Sequence, residues 1–235
     1  MPDSKSFSLK LLKSSKVFAR DGEVGRLDQF FFDDRQWRVR YLIVDTGGWL
    51  VHNQVLIPPS VIDRVERVDH GYQVRLSLLR QQVEQSPDVD SDMPVSRQRE
   101  VELFSYYRWP HDWTGAGVLG TAAFLPTIPA LDEEPIRLES AGDPHLRSSH
   151  EMLGYNVQAA DGDFGHVVDF DVSAEDWIIK NFILEVRKGW HFFRYPVPAQ
   201  SVRAVSWEDR SVTLSIGQSE IRQIAPLSDE RRQAG

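Results

Sequence analysis

The segment Asp21-Gly-Glu-Val-Gly25 opens the most informative part of the sequence, because it recurs in divergent form as Asp161-Gly-Asp-Phe-Gly165. Both copies place Asp-Gly at a turn and a second glycine three residues after the first. Asp-Gly between alternating hydrophobic residues favours a tight hairpin, since glycine reaches positive φ without steric cost. Each copy is therefore predicted to begin with a β-hairpin.

The likeness continues at a constant offset of 140 positions and falls to 138 after the turn at His70-Gly71. Length thus changes at a turn while the alternation of apolar residues holds, as expected for two divergent copies of one strand pattern. The equivalent pairs include Leu27 with Val167, Phe30 with Phe170, Trp37 with Trp177, Ile43 with Ile183 and Val74 with Val212, and Trp190 stands near the position equivalent to Trp49, at an offset of 141.

In the first copy the pattern predicts strands at 24–32, 37–44, 49–57, 61–68 and 72–78. Within the second of these, Trp37 and Val39 are expected on one face, and Arg38 and Arg40 on the other. Helix-like runs follow at 78–85 before Pro87 and, in the second copy, at 218–224. A short meander that closes on itself removes its exposed edges, so each copy is predicted to form a small β-barrel.

Four features of the first copy resemble the PRC-barrel family: the Asp-Gly-x-x-Gly opening, Tyr-Leu-Ile-Val-Asp45, Gly-Gly-Trp49 and Val-Leu-Ile-Pro58. That family is named from the cytoplasmic domain of the photosynthetic reaction centre H subunit and includes the C-terminal domain of a ribosome-maturation factor. The resemblance covers about 9–87 and 146–226, which indicates two tandem copies. It implies β-barrels that dock on partners, and the family brings no shared catalytic motif.

The predicted fold is therefore mainly β, with two tandem PRC-type β-barrels, each followed by a short helix. Residues 1–87 form the first domain and residues 140–235 the second. Residues 88–139 form an acidic linker with an amphipathic helix at about 96–108, where Val101, Phe104 and Tyr107 recur at helical spacing. The linker holds 10 acidic and 4 basic residues, against 11 and 13 in residues 1–87.

The composition narrows the classes of function. The chain of 235 residues has no cysteine, which excludes disulfides, thiolate metal sites and thiol nucleophiles. Its net charge of −8 disfavours a nucleic-acid partner, because binding to a phosphate backbone depends on clustered basic residues. No apolar run is long and unbroken enough to span a bilayer, so we expect a cytoplasmic protein, with any membrane association occurring through a partner.

Three apparent motifs lack the context that their chemistry needs. Gly115-Ala-Gly117-Val-Leu-Gly120 has the spacing of a dinucleotide-binding loop, but neither a strand before it nor a long helix after it is predicted. The acidic run that begins at Asp88 lacks the glycine and the bidentate glutamate of a calcium loop. The 7 histidines show no metal-ligand spacing. No catalytic, cofactor-binding or metal-binding residue is assigned, and the chain is predicted not to be an enzyme.

The candidate partner-binding residues are Trp109, Trp113 and Phe124, which lie in a glycine- and proline-rich stretch of the linker. Large aromatic side chains in such a loop need a covering surface. The recurring tryptophans Trp37, Trp177, Trp49 and Trp190 are instead expected to fill the core or plug the barrel mouths. The carboxylates Asp161, Asp163, Asp169 and Asp171 are expected to serve turns and an exposed strand face, with a proton-accepting acidic patch as the alternative.

The sequence favours a docking or assembly module that binds a protein partner, for which a membrane-associated complex is one setting. Two other functions stay open: an accessory to ribosome assembly, and a small-ligand binder or enzyme that uses a barrel mouth or the space between the barrels. Two arrangements stay open as well. The barrels pack on each other about a pseudo-twofold axis, or each meets its equivalent in a second copy, as in a homodimer.

Overall fold

The computed structural model describes residues 6–47, 54–68, 71–85 and 145–227. These residues form two seven-stranded sheets with a few short helices, which confirms the mainly β prediction and the two small β units. Residues 6–85 are called unit one below, and residues 145–227 unit two. The linker, its predicted helix and the residues Trp109, Trp113 and Phe124 lie outside the described residues.

The two units contain the same elements in the same order. Unit one comprises β1 (Ser6–Ser8), α1 (Leu9–Leu12), β2 (Lys16–Ala19), β3 (Gly22–Asp33), β4 (Arg38–Asp45), β5 (Gln54–Ile57), a 3-10 turn (Pro59–Val61), β6 (Ile62–Val68), β7 (Gly71–Leu76) and α2 (Arg80–Glu84). Unit two comprises β8 (Leu146–Ser148), α3 (Ser149–Met152), β9 (Asn156–Ala159), β10 (Gly162–Ser173), β11 (Ile179–Lys188), β12 (His191–Pro198), a 3-10 turn (Ala199–Ser201), β13 (Val202–Ser206), β14 (Ser211–Leu214) and α4 (Gln218–Gln223).

The strand order is also the same in both sheets. It runs β5-β4-β3-β2-β7-β6 in unit one and β12-β11-β10-β9-β14-β13 in unit two. Neighbours are antiparallel except for β2 with β7 and β9 with β14, which are parallel. The path is open, since among the described residues no strand pairing joins β5 to β6 or β12 to β13. The predicted closure into a hydrogen-bonded barrel is therefore not seen there.

The short strand that leads each unit pairs with the other unit. In unit one β1 lies antiparallel to the end of β10, with Phe7 opposite Val172. In unit two β8 lies antiparallel to the end of β3, with Arg147 opposite Phe32. These two registers are equivalent under the sequence repeat, so the exchange is reciprocal. Sequence periodicity did not predict it, because a three-residue strand is too short to show alternation.

The exchange places a pseudo-twofold axis between the units. Next to that axis the Val39 amide donates to the Trp177 carbonyl at 2.8 Å, and the Ile179 amide donates to the Trp37 carbonyl at 2.7 Å. Both hydrogen bonds join equivalent positions of the repeat. Of the two arrangements left open by the sequence, the structure therefore shows the one in which the two units pack on each other within one chain.

One detail of the second predicted strand is wrong. Trp37 precedes β4 instead of lying within it, and its φ of 53° is left-handed, as is the φ of 56° at Trp177. This conformation costs a non-glycine residue about 1–2 kcal/mol, and the paired carbonyl hydrogen bonds across the axis hold it. On the opposite face of β4, Arg40 is buried, and its guanidinium lies 3.5 Å from the Asp33 carboxylate.

One continuous hydrophobic core runs through both units. Aromatic rings cross the boundary between them: Phe7 with Trp177 at 5.1 Å, Trp37 with Phe182 at 4.9 Å and Phe32 with Phe170 at 5.9 Å between centroids. The first two pairs are edge-to-face, an arrangement that adds to the free energy gained from burial. The two units therefore stabilise each other and do not have separate hydrophobic cores.

The two helices predicted to follow the strand patterns are present with shorter bounds. Asp21 accepts a hydrogen bond from the Arg80 amide at the start of α2, and Asp161 accepts one from the Gln218 amide at the start of α4, each at 2.8 Å. The repeated aspartate thus joins the first hairpin to the closing helix of its own unit. Ser148 caps the short helix α3, because its side chain accepts a hydrogen bond from the His150 amide.

Candidate interaction surface

Polar side chains fasten each exchanged strand to the opposite unit. The Ser8 hydroxyl donates to Asp169, and the Lys10 amide donates to the same carboxylate at 2.9 Å. At the equivalent place the Ser148 hydroxyl donates to the Gln29 side-chain oxygen at 2.6 Å. The two halves therefore use the same contact, with a carboxylate on one side and a neutral amide on the other.

A second set of polar contacts holds the segment that leads into unit two. Asp34 lies 3.0 Å from the His145 ring and 3.4 Å from the Arg147 guanidinium, and its amide donates to the His145 carbonyl. The Arg147 guanidinium also stacks over the Trp207 ring at 4.2 Å. One arginine thus contacts both units through charge and ring stacking.

The boundary between the units perturbs two titratable groups. Burial raises the pKa of Asp169, and the hydrogen bonds from Ser8, Lys10 and Phe170 only partly offset that effect. Burial and the nearby Lys13 ammonium lower the pKa of His150, whose ring lies 2.6 Å from that ammonium. Both groups lie at contacts between the two units, so pH acts on the boundary directly.

We expect Asp169→Asn to remove one part of the pH dependence of stability. Because the folded-state pKa of Asp169 is raised, the folded protein holds a proton that the unfolded chain lacks in the range above the ordinary value of 3.8. The stabilising contribution is complete below 3.8 and is lost as pH rises through the raised pKa. Relative to Asp169→Asn, the natural protein should therefore gain unfolding free energy as pH falls towards 3.8.

Urea unfolding of both proteins across that pH range measures the effect. The difference between them cancels the opposite contribution of His150, which both proteins share. A difference that stays flat, or that shrinks as pH falls, would contradict the assignment. Gln29→Glu places a carboxylate at the equivalent position in unit one and should create a similar dependence there.

The four carboxylates of the second hairpin do not form one patch. Asp161 caps α4 and Asp163 is exposed, whereas Asp169 lies at the boundary between the units. Asp171 accepts a hydrogen bond from the Asn181 amide at 3.1 Å. The expected turn role, together with a cap role, accounts for Asp161. The expectation that the carboxylates of the strand share an exposed face is wrong for Asp169. In a twisted, bulged strand, alternation alone does not fix which face is covered.

Among the described residues, the most exposed aromatic surface is the end of the hairpin formed by β11 and β12, Arg187 to Phe193, which is called the hairpin tip below. All seven residues are exposed, and Trp190 has 90% of its surface accessible. Phe192 and Phe193 are 45% and 36% exposed. The prediction that Trp190 fills the core or a barrel mouth is therefore wrong, while Trp177 is buried as expected. Trp49, the residue of the first copy that corresponds to Trp190, lies outside the described residues.

The local geometry explains why Trp190 is exposed. The pairing of β10 with β11 ends at Glu185, whereas β11 and β12 continue to pair as far as Lys188 with His191. Gly189 and Trp190 form the two-residue turn, and the φ of 63° at Gly189 suits its first position. The hairpin tip therefore extends beyond the third strand that would cover it.

The hairpin tip also carries a local positive charge. Arg187 and Lys188 are its charged residues, and the nearest carboxylate along the strand, Glu185, is paired with Arg194 at 2.8 Å. The Arg187 guanidinium lies 5.9 Å from the Phe192 ring centroid and donates to the Gly189 carbonyl. The sequence signal for this surface was missed: residues 187–193 are a run of cationic and aromatic residues without any acidic residue.

Among residues 6–47, 54–68, 71–85 and 145–227, no three histidine or acidic side chains come together as metal ligands would. In the same part of the chain, none of the helices has the length and apolar character that a membrane crossing needs.

Comparison with known proteins gives one finding. No curated protein matches the chain. A family model, that of the PRC-barrel domain, matches residues 5–76, which span β1 to β7. The match does not extend to unit two, whose likeness to unit one rests on the sequence repeat and on its equal strand order. Over residues 5–76 the chain is therefore similar to the PRC-barrel domain, the type of module that mediates protein interaction or assembly.

Proposed function

We propose that the chain is a non-catalytic docking module made of two PRC-type units, which holds a protein partner in a larger, membrane-associated assembly. The proposal extends the match at residues 5–76 to unit two through the shared strand order and the reciprocal exchange. A body with one continuous core presents its surfaces at fixed relative positions, as a docking platform requires.

The observation that carries the proposal is how the repeat uses its polar residues. Asp21 and Asp161 cap helices, and Asp34 and Asp169 fasten the exchanged segments. These carboxylates thus hold the platform together and are engaged by other groups of the chain. Because these carboxylates hold the two units together, they support a docking or assembly function more than a catalytic one.

The proposed contact residues for the protein partner are Trp109, Trp113 and Phe124, which lie outside the described residues. Large aromatic residues dominate binding free energy when a partner covers them. We expect the triple substitution to alanine to weaken the partner complex by about 2 kcal/mol or more, which is about 30-fold in Kd. Affinity capture from native lysate, with the membrane fraction retained, identifies the partner and measures the loss.

The matched control is Leu79→Ala, which removes an apolar side chain that is 44% exposed on unit one. It should leave recovery of the partner unchanged. If the triple variant captures the same partner as efficiently as the natural protein, the linker aromatics are not its contact. Stoichiometric recovery of ribosomal particles would instead support the ribosome-assembly alternative.

A further inference from the structure

The hairpin tip has a composition that neither folding nor the proposed protein partner explains. Three aromatic side chains and two cations lie within seven consecutive exposed residues, on a hairpin end that extends beyond β10. Leaving Trp190 in water forgoes the free energy of burying one of the largest apolar side chains. A surface of this kind marks an interaction site when its aromatic residues are contiguous.

The aromatic residues surround the hairpin instead of lining one side of it. Arg187 is paired with Phe192, so both lie on one face, and Val186 with Phe193 and Lys188 with His191 lie on the other. Trp190 stands at the turn between the two faces. Each face therefore combines an aromatic ring with a cation. A protein surface or a second copy would cover one face and leave the other in water.

A medium that surrounds the tip satisfies both faces at once. The interfacial layer of a membrane is such a medium, and tryptophan is enriched there because its ring is amphipathic. Arginine and lysine place their apolar stems along such a layer while their charged ends stay among the headgroups. The two cations and the lack of any carboxylate between Arg187 and Phe193 favour lipids of negative charge.

The dimensions fit this placement. From the turn to the pair Arg187 and Phe192, two strand steps span about 7 Å. Amphipathic segments bury about 5–10 Å into the boundary between headgroups and acyl chains. The acidic balance of the whole chain opposes approach only weakly, since charges more than about 8–10 Å away are largely screened at physiological ionic strength.

We propose that the hairpin tip inserts into the interface of an anionic membrane and attaches the two-unit body to it directly. Trp190 enters deepest, and Arg187 and Lys188 contact the lipid headgroups. The proposal goes beyond docking on a protein partner, because it needs neither that partner nor the linker aromatics.

The test is co-sedimentation of the full-length chain with two kinds of vesicle: phosphatidylcholine alone, and phosphatidylcholine with roughly 30 mol% phosphatidylserine. We expect binding to the anionic vesicles, and its loss when ionic strength rises from about 0.1 M to about 1 M. Trp190→Ala should weaken partitioning by at least about tenfold. The pair Arg187→Gln and Lys188→Gln should weaken it by about 25-fold, or about fivefold for each cation.

Two matched variants control for general effects of charge and apolar surface. Arg203→Gln removes an exposed cation of unit two on β13, and Leu79→Ala removes exposed apolar surface of unit one. Both should change partitioning by less than about twofold, since surface substitutions away from the contact have small effects. Trp190→Ala should keep the thermal unfolding midpoint of the natural protein, because its side chain makes little contact with the core.

Several outcomes would overturn the inference. One is the lack of binding to anionic vesicles, and another is binding that the tip variants leave unchanged. Loss of a dimer in Trp190→Ala, without vesicle binding by the natural protein, would make a second copy the occupant. If the natural protein does not bind anionic vesicles while the linker triple variant loses its protein partner, the docking proposal is supported and the membrane contact is contradicted. The reverse pattern would keep the membrane contact and remove the docking proposal.

Discussion

Phe7→Ala should destabilise the protein by about 3–5 kcal/mol, the range for loss of a buried phenylalanine. Phe7 is 3% exposed and packs between Trp177 of unit two, at 5.1 Å, and Tyr72 of unit one, at 6.4 Å. Its backbone belongs to β1, which pairs with β10. A cavity there loosens both units. The loss is a large part of a typical total stability of about 5–15 kcal/mol.

Urea unfolding measures the total loss, and amide hydrogen exchange locates it. Exchange should accelerate in β10 of unit two, which is distant in sequence from the substitution but next to it in space. Leu79→Ala is the control and should cost less than about 0.5 kcal/mol, as exposed positions do. Acceleration confined to unit one would contradict the reciprocal exchange of strands.

Gly25→Ala and Gly165→Ala should each cost at least about 3 kcal/mol, the upper range for an overpacked site. A Cβ at Gly25 would lie 2.0 Å from the Asp45 carbonyl oxygen, and one at Gly165 would lie 2.3 Å from the Glu185 carbonyl oxygen. Both obstacles are backbone atoms, so β3 must move from β4, and β10 from β11. At Gly165 the φ of 151° adds strain.

Matched controls separate this clash from the conformational effect of glycine. Gly47→Ala in unit one and Gly154→Ala in unit two meet no atom within 4 Å, although both positions have positive φ. They should cost about 1–2 kcal/mol from backbone strain alone. Thermal unfolding of the four variants compares the sites. Equal losses at all four would contradict the close approach of the strands.

Some elements of the fold could be predicted from the sequence, and others could not. The Asp-Gly hairpins, the helices after each copy and the strand pairing of β6 with β7 were predictable, because they depend on local turn chemistry and alternation. The second glycine of each opening was also visible as a repeated residue. Its reason was not, since the carbonyl it must avoid belongs to the next strand.

The candidate surface was less predictable than the fold. Trp37 and Trp190 both belong to tryptophan pairs of the repeat, yet one packs on Phe182 and the other is almost wholly exposed. Sequence gives the amphipathic character of a tryptophan, but burial depends on whether another element reaches it. Trp190 is exposed because β10 stops pairing with β11 at Glu185, before the strands reach the turn.

Turn residues and alternation act over a few neighbouring positions, so the amino-acid sequence was sufficient to predict two β units of one pattern. The exchange of leading strands, the shared core and the exposed hairpin tip became visible only in the folded chain. The physical reason is that β1 and β8 gain their free energy from pairing and burial against distant residues. No local pattern of three residues encodes that partner.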